Sequence, residues 1–288
     1  MTMYKNVALV LEGGGMRGAY LSGVLDVMHD NGLKFGGYSG TSAGATHLCS
    51  YLSEQRERNK RIDTVHSAQK RYMGFGNLVR TGDFFEVEYC YNEIPRVIDP
   101  FDFEKFRENA AASEFYSVAT NLETGEAAYL LTRDLDMPAD MDKVRASASL
   151  PLMSHIVELD GMKLLDGGVA DSIPFEIMAK KGFEKQVVIL TQPEGFVKKP
   201  NSLLPLFKVI YRKYPKFIEA VRTRHIRYNQ SLRTLDEWNS RGTAFRIRPS
   251  ESFDISRLEK DKSKLVKLYD LGVKDATALM PQLMEFLN

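Results

Sequence analysis

Ser42 is the residue whose neighbours most clearly suggest covalent chemistry. It is the centre of Gly40-Thr41-Ser42-Ala43-Gly44, a G-x-S-x-G pattern between an apolar approach and a segment of small residues that can form a helix. A strand that turns sharply into a helix holds such a serine in a strained position, and small neighbours let the two backbones pass. The helix N-terminus then favours a developing negative charge. The pattern predicts a nucleophile, although a plain glycine- and serine-rich loop can have the same letters.

A glycine cluster lies upstream, after the apolar run at residues 7–11. Gly13-Gly14-Gly15-Met16-Arg17-Gly18 satisfies G-x-G-x-x-G, which is also the pattern of a dinucleotide-binding turn. A dinucleotide site needs an acidic residue at the end of the second strand, and the strand predicted near residues 35–39 runs into the Ser42 turn without one. We therefore favour an oxyanion hole made of glycine amides that point beside Ser42. Arg17 either shapes this loop, adds positive potential, or is an ordinary surface arginine.

Asp166 is the candidate partner of Ser42. The segments His155–Leu159 and Met162–Leu165 flank Asp160-Gly161, a strong hairpin signal, and the second arm ends in Asp166-Gly167-Gly168. An acidic residue at the end of a strand, followed by two glycines, can lie in a cleft in a fixed orientation. A plain turn aspartate is the simpler interpretation of these three residues taken alone.

Composition and charge limit the classes of function. The chain has 288 residues, 43% of them hydrophobic and 27% charged, with a net charge of +1, so we expect no nucleic-acid partner. Cys49 and Cys90 make neither a disulfide framework nor a metal-ligand set, and we expect no metal and no cofactor. Residues 1–10 are predicted to be a buried strand rather than a signal peptide, and no apolar stretch is long enough to span a bilayer. A reducing, cytoplasmic location is expected.

The order of the elements predicts an α/β fold. Apolar runs at residues 7–11 and 185–191 are typical of strands buried on both faces of a parallel sheet. A helix is expected after the glycine cluster, and two C-terminal helices, broken near Gly272, are expected over Ile255–Leu287. The many charges of residues 54–71 predict a solvated helix face or connector. Nearby aromatic residues, including Tyr72 and Phe85, either line a pocket or fill the core.

Residues 198–233 differ in charge from the rest of the chain. They contain ten basic residues and one acidic residue, whereas the remainder has 29 basic and 37 acidic residues, and apolar side chains alternate with the charges. A basic amphipathic segment can lie on an anionic membrane surface. A cap with solvated lysines would have the same composition. Peripheral contact with an anionic membrane through this segment is therefore one of two hypotheses.

The motifs taken together resemble the patatin-like phospholipases. The glycine loop with Arg17, the serine turn, the small-residue block Ala146–Pro151 and Asp166-Gly167-Gly168 occur in the order of that family and frame roughly residues 5–195. The small bacterial members also tend to end in helices like residues 256–276. The resemblance implies a three-layer α/β/α fold with a mainly parallel sheet. It also suggests that residues 1–288 form a single domain with a helical C-terminal extension after about residue 198.

The resemblance also implies a mechanism. Ser42 matches the nucleophile and Asp166 the base of a Ser–Asp dyad, with no catalytic histidine. The family has either Gly or Ala at the position of Gly168. The oxyanion hole would be formed by the glycine loop, with Gly13, Gly14, Gly15 and Arg17.

The function expected from these residues is hydrolysis of carboxylic esters of lipids through an acyl-enzyme. A soluble short-chain esterase or thioesterase of the same mechanism is the first alternative, and a non-catalytic lipid-binding scaffold is the second. His47 lies about 140° round a helix from Ser42, so it is poorly placed to serve that serine. His155 stays open as another base, because it is close in sequence to the hairpin that carries Asp166.

Overall fold

A mixed sheet of eight strands organises the chain, which a computed structural model describes over residues 2–288. The strand order is β5-β6-β3-β2-β1-β7-β8, with β4 paired to β3. The pairs β1–β2, β2–β3, β1–β7 and β7–β8 are parallel, and the pairs that involve β4, β5 and β6 are antiparallel. The strands are Thr2–Leu11 (β1), Leu33–Thr41 (β2), Glu114–Asn121 (β3), Ala127–Leu131 (β4), Val157–Leu159 (β5), Met162–Asp166 (β6), Lys185–Ile189 (β7) and Ala244–Ile247 (β8).

Helices connect the strands and cover the sheet. Short 3₁₀ turns at Gly15–Gly18, His66–Ala68 and Gly167–Val169 and a π-helical segment at Tyr89–Ile98 complete the chain. The α-helices are Ala19–Asp30 (α1), Ala43–Leu52 (α2), Arg58–Thr64 (α3), Phe75–Thr81 (α4), Phe103–Ala111 (α5), Pro138–Ala148 (α6), Phe175–Lys180 (α7), Leu204–Ile210 (α8), Pro215–Ser240 (α9) and Lys262–Leu287 (α10).

Strand β1 shows why the apolar runs are continuous. Its alternate residues point to opposite faces of the sheet. Val7, Leu9 and Leu11 pack into a core shared with α1 and α10, whereas Ala8 and Val10 pack into a second core shared with α7 and α9. Both faces of the strand are therefore buried, as in parallel sheets generally. This arrangement confirms the predicted three-layer α/β/α fold with its helical C-terminal region.

The predicted break at Gly272 is wrong, since α10 runs without interruption through this residue. A Cβ on Gly272 would collide with the backbone of Tyr20 in α1, and a Cβ on Gly23 would collide with the backbone of Tyr269. The two helices approach so closely that glycine is needed on both. Gly272 therefore serves helix packing, which outweighs its weak helix propensity.

The parallel arrangement gathers three chain segments at one edge of the sheet. The glycine loop follows the C-terminal end of β1, Ser42 follows β2, and Ile189 ends β7 beside Leu11 of β1. Ligands bind at the carboxyl ends of strands in open α/β sheets. Antiparallel β6 enters from the opposite direction and pairs Asp166 with Ala119 of β3.

Candidate active site

Ser42 occupies a strained turn between β2 and α2. Its φ is 56° and its ψ is −121°, in a region that residues with a side chain rarely adopt. A Cβ on Gly40 would lie 2.6 Å from the amide nitrogen of Ala45, and a Cβ on Gly44 would lie 2.5 Å from the carbonyl oxygen of Leu11. Both glycines are therefore needed for the close passage of strand and helix. The geometry is that of a nucleophile elbow.

The block of small residues at the end of α6 supports this turn. The amide of Ser42 donates to Oγ of Ser147 at 2.9 Å, and that hydroxyl donates to the carbonyl oxygen of Val118 at 2.5 Å. Ser147 is fully buried and has room only because its neighbours are small. The chain fixes Ser42 through β3 and α6 as well as through its own helix.

Asp166 is held by its backbone at the end of β6. Its amide donates to the carbonyl oxygen of Ser149 at 2.8 Å, and its own carbonyl oxygen accepts from Oγ1 of Thr120 at 2.8 Å. Oδ1 accepts from the amide of Gly168 at 2.7 Å. A Cβ on Gly167 would collide with the carbonyl oxygen of Val118, so the first glycine permits the tight turn. The carboxylate therefore has a fixed orientation.

The carboxylate of Asp166 lies near the Ser42 hydroxyl. Burial raises the pKa of Asp166, and the Ser42 hydroxyl, the Arg224 charge and the Gly168 amide partly oppose that rise. The Ser42 hydroxyl is thus near enough to affect the carboxylate. The pair does not meet strict hydrogen-bond geometry, because Oδ2 of Asp166 has no hydrogen-bond partner among the described residues. Such bonds are often long before substrate binds. Oδ2 is the acceptor left free for a proton from Ser42.

The glycine loop divides into two parts. The amide of Gly13 donates to the carbonyl oxygen of Ser172 at 3.2 Å, so this amide is occupied and the expected oxyanion hole is confined to its neighbours. No backbone carbonyl of residues 2–288 accepts from the amides of Gly14 or Gly15. Gly15 has a φ of 58° and lines the same cavity as Ser42. Within residues 2–288, the amide of Gly15 therefore has no backbone partner and belongs to a residue that lines the cavity at Ser42.

Arg17 contacts the segment that follows β7. With the amide oxygen of Gln192 turned toward the guanidinium, that oxygen accepts from Nη2 and Nε of Arg17, both at 3.2 Å. Burial, and then the positive charge of Arg257, lower the pKa of Arg17. This contact with the loop after β7 fits a role of Arg17 in shaping the glycine loop.

A cavity leads inward from Ser42. It is lined by Gly15, Met16, Ser42, Phe85, Tyr91 and Leu150, among other residues. A second cavity shares Tyr72, Phe85 and Tyr91 with the first and continues to Ile94, Phe101 and Val144. The aromatic residues thus line a pocket. Together the two cavities, here called the acyl cavity, are suited to a long apolar group.

His47 and His155 have other partners. His47 Nδ1 contacts the carbonyl oxygen of Ala43 at 2.6 Å, and Nε2 lies 3.0 Å from Oδ2 of Asp63. Burial opposes the charge of His47, but the Asp63 carboxylate raises its pKa above the ordinary value. His155, the alternative base, bonds through Nδ1 to Oδ2 of Asp83 at 2.9 Å.

Two side chains from the charged stretch over residues 54–71 were expected in solvent but are buried. Asp63 lies in the wall of the acyl cavity and also accepts from Oγ of Ser22 at 2.6 Å. Arg58 is buried as well, and its Nη2 donates to the carbonyl oxygen of Asp99 at 3.1 Å. The prediction of a solvated helix face is therefore wrong for these two positions of α3.

The raised pKa of Asp166 leads to a prediction about pH. A base must be ionised to accept a proton, and protonating it abolishes that function as the pH falls through its pKa. We expect kcat/KM for p-nitrophenyl butyrate to fall on the acid side with a midpoint above about 4, the ordinary aspartate value. A pH–rate profile with parallel circular dichroism checks this. A midpoint at or below that value, in folded protein, would contradict the assignment.

Within residues 2–288, no cluster of three His, Cys, Asp or Glu side chains is arranged to hold a metal ion. Over the same residues, none of the helices has the length and apolar character that a bilayer crossing requires.

Comparison with known proteins identifies the protein family to which the chain belongs. The sequence model described as patatin-like phospholipase matches residues 9–179, and a domain of unknown function (DUF6363) matches residues 214–288. The chain belongs to the patatin-like phospholipase family. The first match contains the Ser42 turn, the glycine loop and Asp166. The second contains all of α9 and all of α10.

Curated relatives support the same membership. The chain is 30% identical over 241 residues to the uncharacterized protein YjjU of Escherichia coli (strain K12), a match that covers 74% of this chain and 64% of that protein. It is 26% identical over 179 residues to an uncharacterized NTE family protein of Mycobacterium tuberculosis, covering 60% of this chain and 45% of the relative. The chain thus spans less than two thirds of the length of these relatives.

A solved structure shares the fold. VipD from Legionella pneumophila superposes with a TM-score of 0.51 over 96% of this chain and 67% of that chain, at 14% identity. At this identity the likeness concerns the fold alone. The family membership supports a lipid hydrolase at the level of class.

Proposed function

We propose that the protein hydrolyses carboxylic ester bonds of lipids, with Ser42 as nucleophile and Asp166 as the base that activates it. The observation that carries the proposal is the position of Asp166. Its carboxylate is buried, its Oδ2 atom has no hydrogen-bond partner among the described residues, and the hydroxyl of Ser42 in the nucleophile elbow is near enough to lower its pKa. A serine hydroxyl needs a base within reach before it attacks an ester. Family membership supports the same chemistry.

The proposed reaction has two halves. Ser42 Oγ bonds to the ester carbonyl carbon while its proton moves to Asp166, and the tetrahedral oxyanion accepts from the free amides of Gly14 and Gly15. Collapse breaks the bond to the alcohol, which leaves with the proton from Asp166. Water then attacks the acyl-Ser42 ester and gives its proton to Asp166. The carboxylic acid is released and Ser42 is reprotonated. Arg17 would act indirectly, by holding the glycine loop through Gln192.

The acyl cavity leads to a prediction about chain length. Val144 lies in the deeper part of this cavity and is buried. In Val144→Phe, the added ring should fill space that a long chain would occupy. We expect the ratio of activity on p-nitrophenyl laurate to that on p-nitrophenyl butyrate to fall about tenfold, as one or two lost methylene contacts would give.

Val97→Phe is the matched control for this test, because Val97 is 74% exposed and stands outside the cavity lining. Its activity ratio should equal that of the wild type. An unchanged ratio in folded Val144→Phe would show that the chain binds elsewhere. Wild-type activity confined to butyrate would favour the soluble esterase or thioesterase instead.

We also propose that the protein contacts anionic membranes peripherally through the basic segment at residues 198–233. This segment forms α8 and most of α9. Helix α8 exposes Leu206, Val209 and Ile210 beside Lys208, a combination of apolar and basic side chains that suits an anionic bilayer surface. The membrane would then lie near a cavity that reaches Asp166 and includes Leu203 and Phe207.

Vesicle flotation tests this contact. We expect the triple variant Lys208→Gln, Arg212→Gln, Lys213→Gln to lose most binding to vesicles containing phosphatidylglycerol, because each basic residue near such a surface contributes about 1 kcal/mol. The control removes the same charge from α10, through Lys262→Gln, Lys267→Gln and Lys274→Gln. Equal flotation of the two triple variants, or no flotation of the wild type, would refute the contact.

Two further proposals concern the whole chain. The protein acts as a single domain, because α9 and α10 pack into the same two cores as the strands of the patatin-like region. A reducing, cytoplasmic compartment suits Cys49 and Cys90, which are free thiols.

A further inference from the structure

A further cavity, here called the basic pocket, is lined mainly by basic side chains. None of the described residues that line it is acidic. Its basic lining consists of Lys198, Lys199, Arg224, His225 and Arg257. A concave site with charges of one sign attracts ligands of the opposite charge.

Arg224 is the residue that joins the basic pocket to the dyad. A Cβ on Gly168 would lie 3.1 Å from its Nη2 and 2.9 Å from Oδ1 of Asp166, so the guanidinium is next to the catalytic carboxylate. Its Nε has no hydrogen-bond partner among the described residues. A buried donor without a partner is uncommon and calls for an explanation.

The neighbouring arginines of α9 are partnered. Arg222 forms an ion pair with Glu219, and Nη2 of Arg227 donates to the carbonyl oxygens of Val169 and Ala220 at 2.9 and 2.7 Å. The unpaired donor of Arg224 is thus particular to that position. Arg224 also lines the basic pocket.

Lys198 is the second basic residue of the pocket whose surroundings destabilise its charged form. Its Nζ lies 3.9 Å from the ring centre of Tyr228. Burial, together with the charges of Arg224 and Arg257, lowers the pKa of Lys198 to about 6. An anion placed among these groups would relieve their mutual repulsion and restore the charge of the lysine.

An apolar groove connects the basic pocket with the dyad. It shares Asn201, Arg224 and Arg257 with the basic pocket and reaches Asp166. Leu150 lines both this groove and the acyl cavity beside Ser42. An ester bound at Ser42 could therefore have one chain in the acyl cavity and its remaining part in the groove, with a charged group in the basic pocket.

We propose that the basic pocket binds the phosphate of an anionic lipid headgroup through Lys198, Arg224 and Arg257, and makes the enzyme prefer anionic phospholipids to phosphatidylcholine. The inference rests on the ester hydrolysis proposed above. Guanidinium groups bind phosphate through charge-assisted hydrogen bonds. The quaternary ammonium of choline would meet the same cations and be repelled. Residues of the C-terminal region would thus select substrates for the patatin-like core.

A binding measurement tests the pocket without relying on turnover. Isothermal titration calorimetry of the wild type with sn-glycerol 3-phosphate should show saturable binding. The same titration with glycerol should show no binding. We expect Arg224→Gln and Lys198→Gln each to weaken the binding of sn-glycerol 3-phosphate about tenfold, the effect of one lost charge-assisted contact. Arg222→Gln, a matched change on the same helix, should bind as the wild type does. No saturable binding by the wild type, or equal binding by all variants, would overturn the proposal.

Turnover distinguishes a headgroup from a free anion. In mixed micelles with identical acyl chains, the wild-type kcat/KM ratio of phosphatidylglycerol to phosphatidylcholine should exceed one and fall about tenfold in Arg224→Gln and in Arg257→Gln. The ratio should not change in Lys267→Gln, which removes one charge from α10, outside the basic segment at residues 198–233. An unchanged ratio, with inorganic phosphate binding as tightly as glycerol phosphate, would show a free-anion site instead. Absence of any ester hydrolysis would refute the proposed function. The titration would still decide whether the basic pocket binds the phosphate ester.

Discussion

Replacing Ser42 with alanine is expected to lower kcat for p-nitrophenyl esters by about a thousandfold or more, since removing the nucleophile of a serine hydrolase has effects of at least this size. The reason is chemical. The proposed acyl-enzyme cannot form without Oγ, and what remains is binding and the glycine amides. The fold should survive, because the elbow is held by the Ser42 amide and the surrounding glycines rather than by the hydroxyl. Initial rates and circular dichroism are the measurements.

Ser53→Ala is the control for this change. Ser53 follows the same helix and is buried, and its hydroxyl donates locally to the carbonyl oxygen of Ser50 at 3.1 Å. Its activity should stay within a few-fold of the wild type. If folded Ser42→Ala kept wild-type turnover, another nucleophile or direct attack by water would have to be sought.

Replacing Asp166 with asparagine is expected to lower kcat by about a thousandfold, comparable to losing the aspartate of a serine triad. Asparagine keeps the size of the side chain and can accept from the Gly168 amide, but it cannot take the proton of Ser42. Burial raises the pKa of Asp166, so the ionised carboxylate disfavours the folded state at neutral pH. The variant should therefore be at least as stable as the wild type, and activity must be lost without unfolding.

Asp171→Asn and His155→Asn complete this test. Asp171 is a nearby buried carboxyl whose pKa is raised to about 6 by burial, and Tyr129 donates to it at 2.9 Å. Neither variant should lower kcat more than a few-fold. Full activity of folded Asp166→Asn together with a large loss in His155→Asn would move the role of base to the histidine.

The residues that set backbone geometry were predictable because their function is local. Gly40 and Gly44 must be glycine wherever a strand turns into a helix at this angle, and the sequence shows both at the required spacing. The continuous apolar runs likewise follow from burial on both faces of the sheet. The Asp-Gly hairpin placed Asp166 at the end of β6.

Features that depend on distant contacts were not predictable. The amide of Gly13 is occupied by Ser172, and Arg17 meets Gln192, residues more than a hundred positions away. In the sequence, Gly272 is typical of a helix break, whereas in the structure it allows α1 to pack closely against α10. Arg224 is one of ten basic residues in the segment 198–233, and no local sequence pattern distinguishes it from Arg222 on the same helix. Such positions are fixed by tertiary packing, which a single sequence does not encode locally.

The most direct test of the central claim is mass spectrometry after treatment with a fluorophosphonate. This reagent mimics the ester and stays bonded to an activated serine. The structure predicts one adduct on the wild type, mapped to the peptide containing Ser42, with none on Ser42→Ala and greatly slowed labelling of Asp166→Asn. An adduct on another residue, or an unlabelled wild type that still hydrolyses esters, would contradict the Ser42–Asp166 dyad.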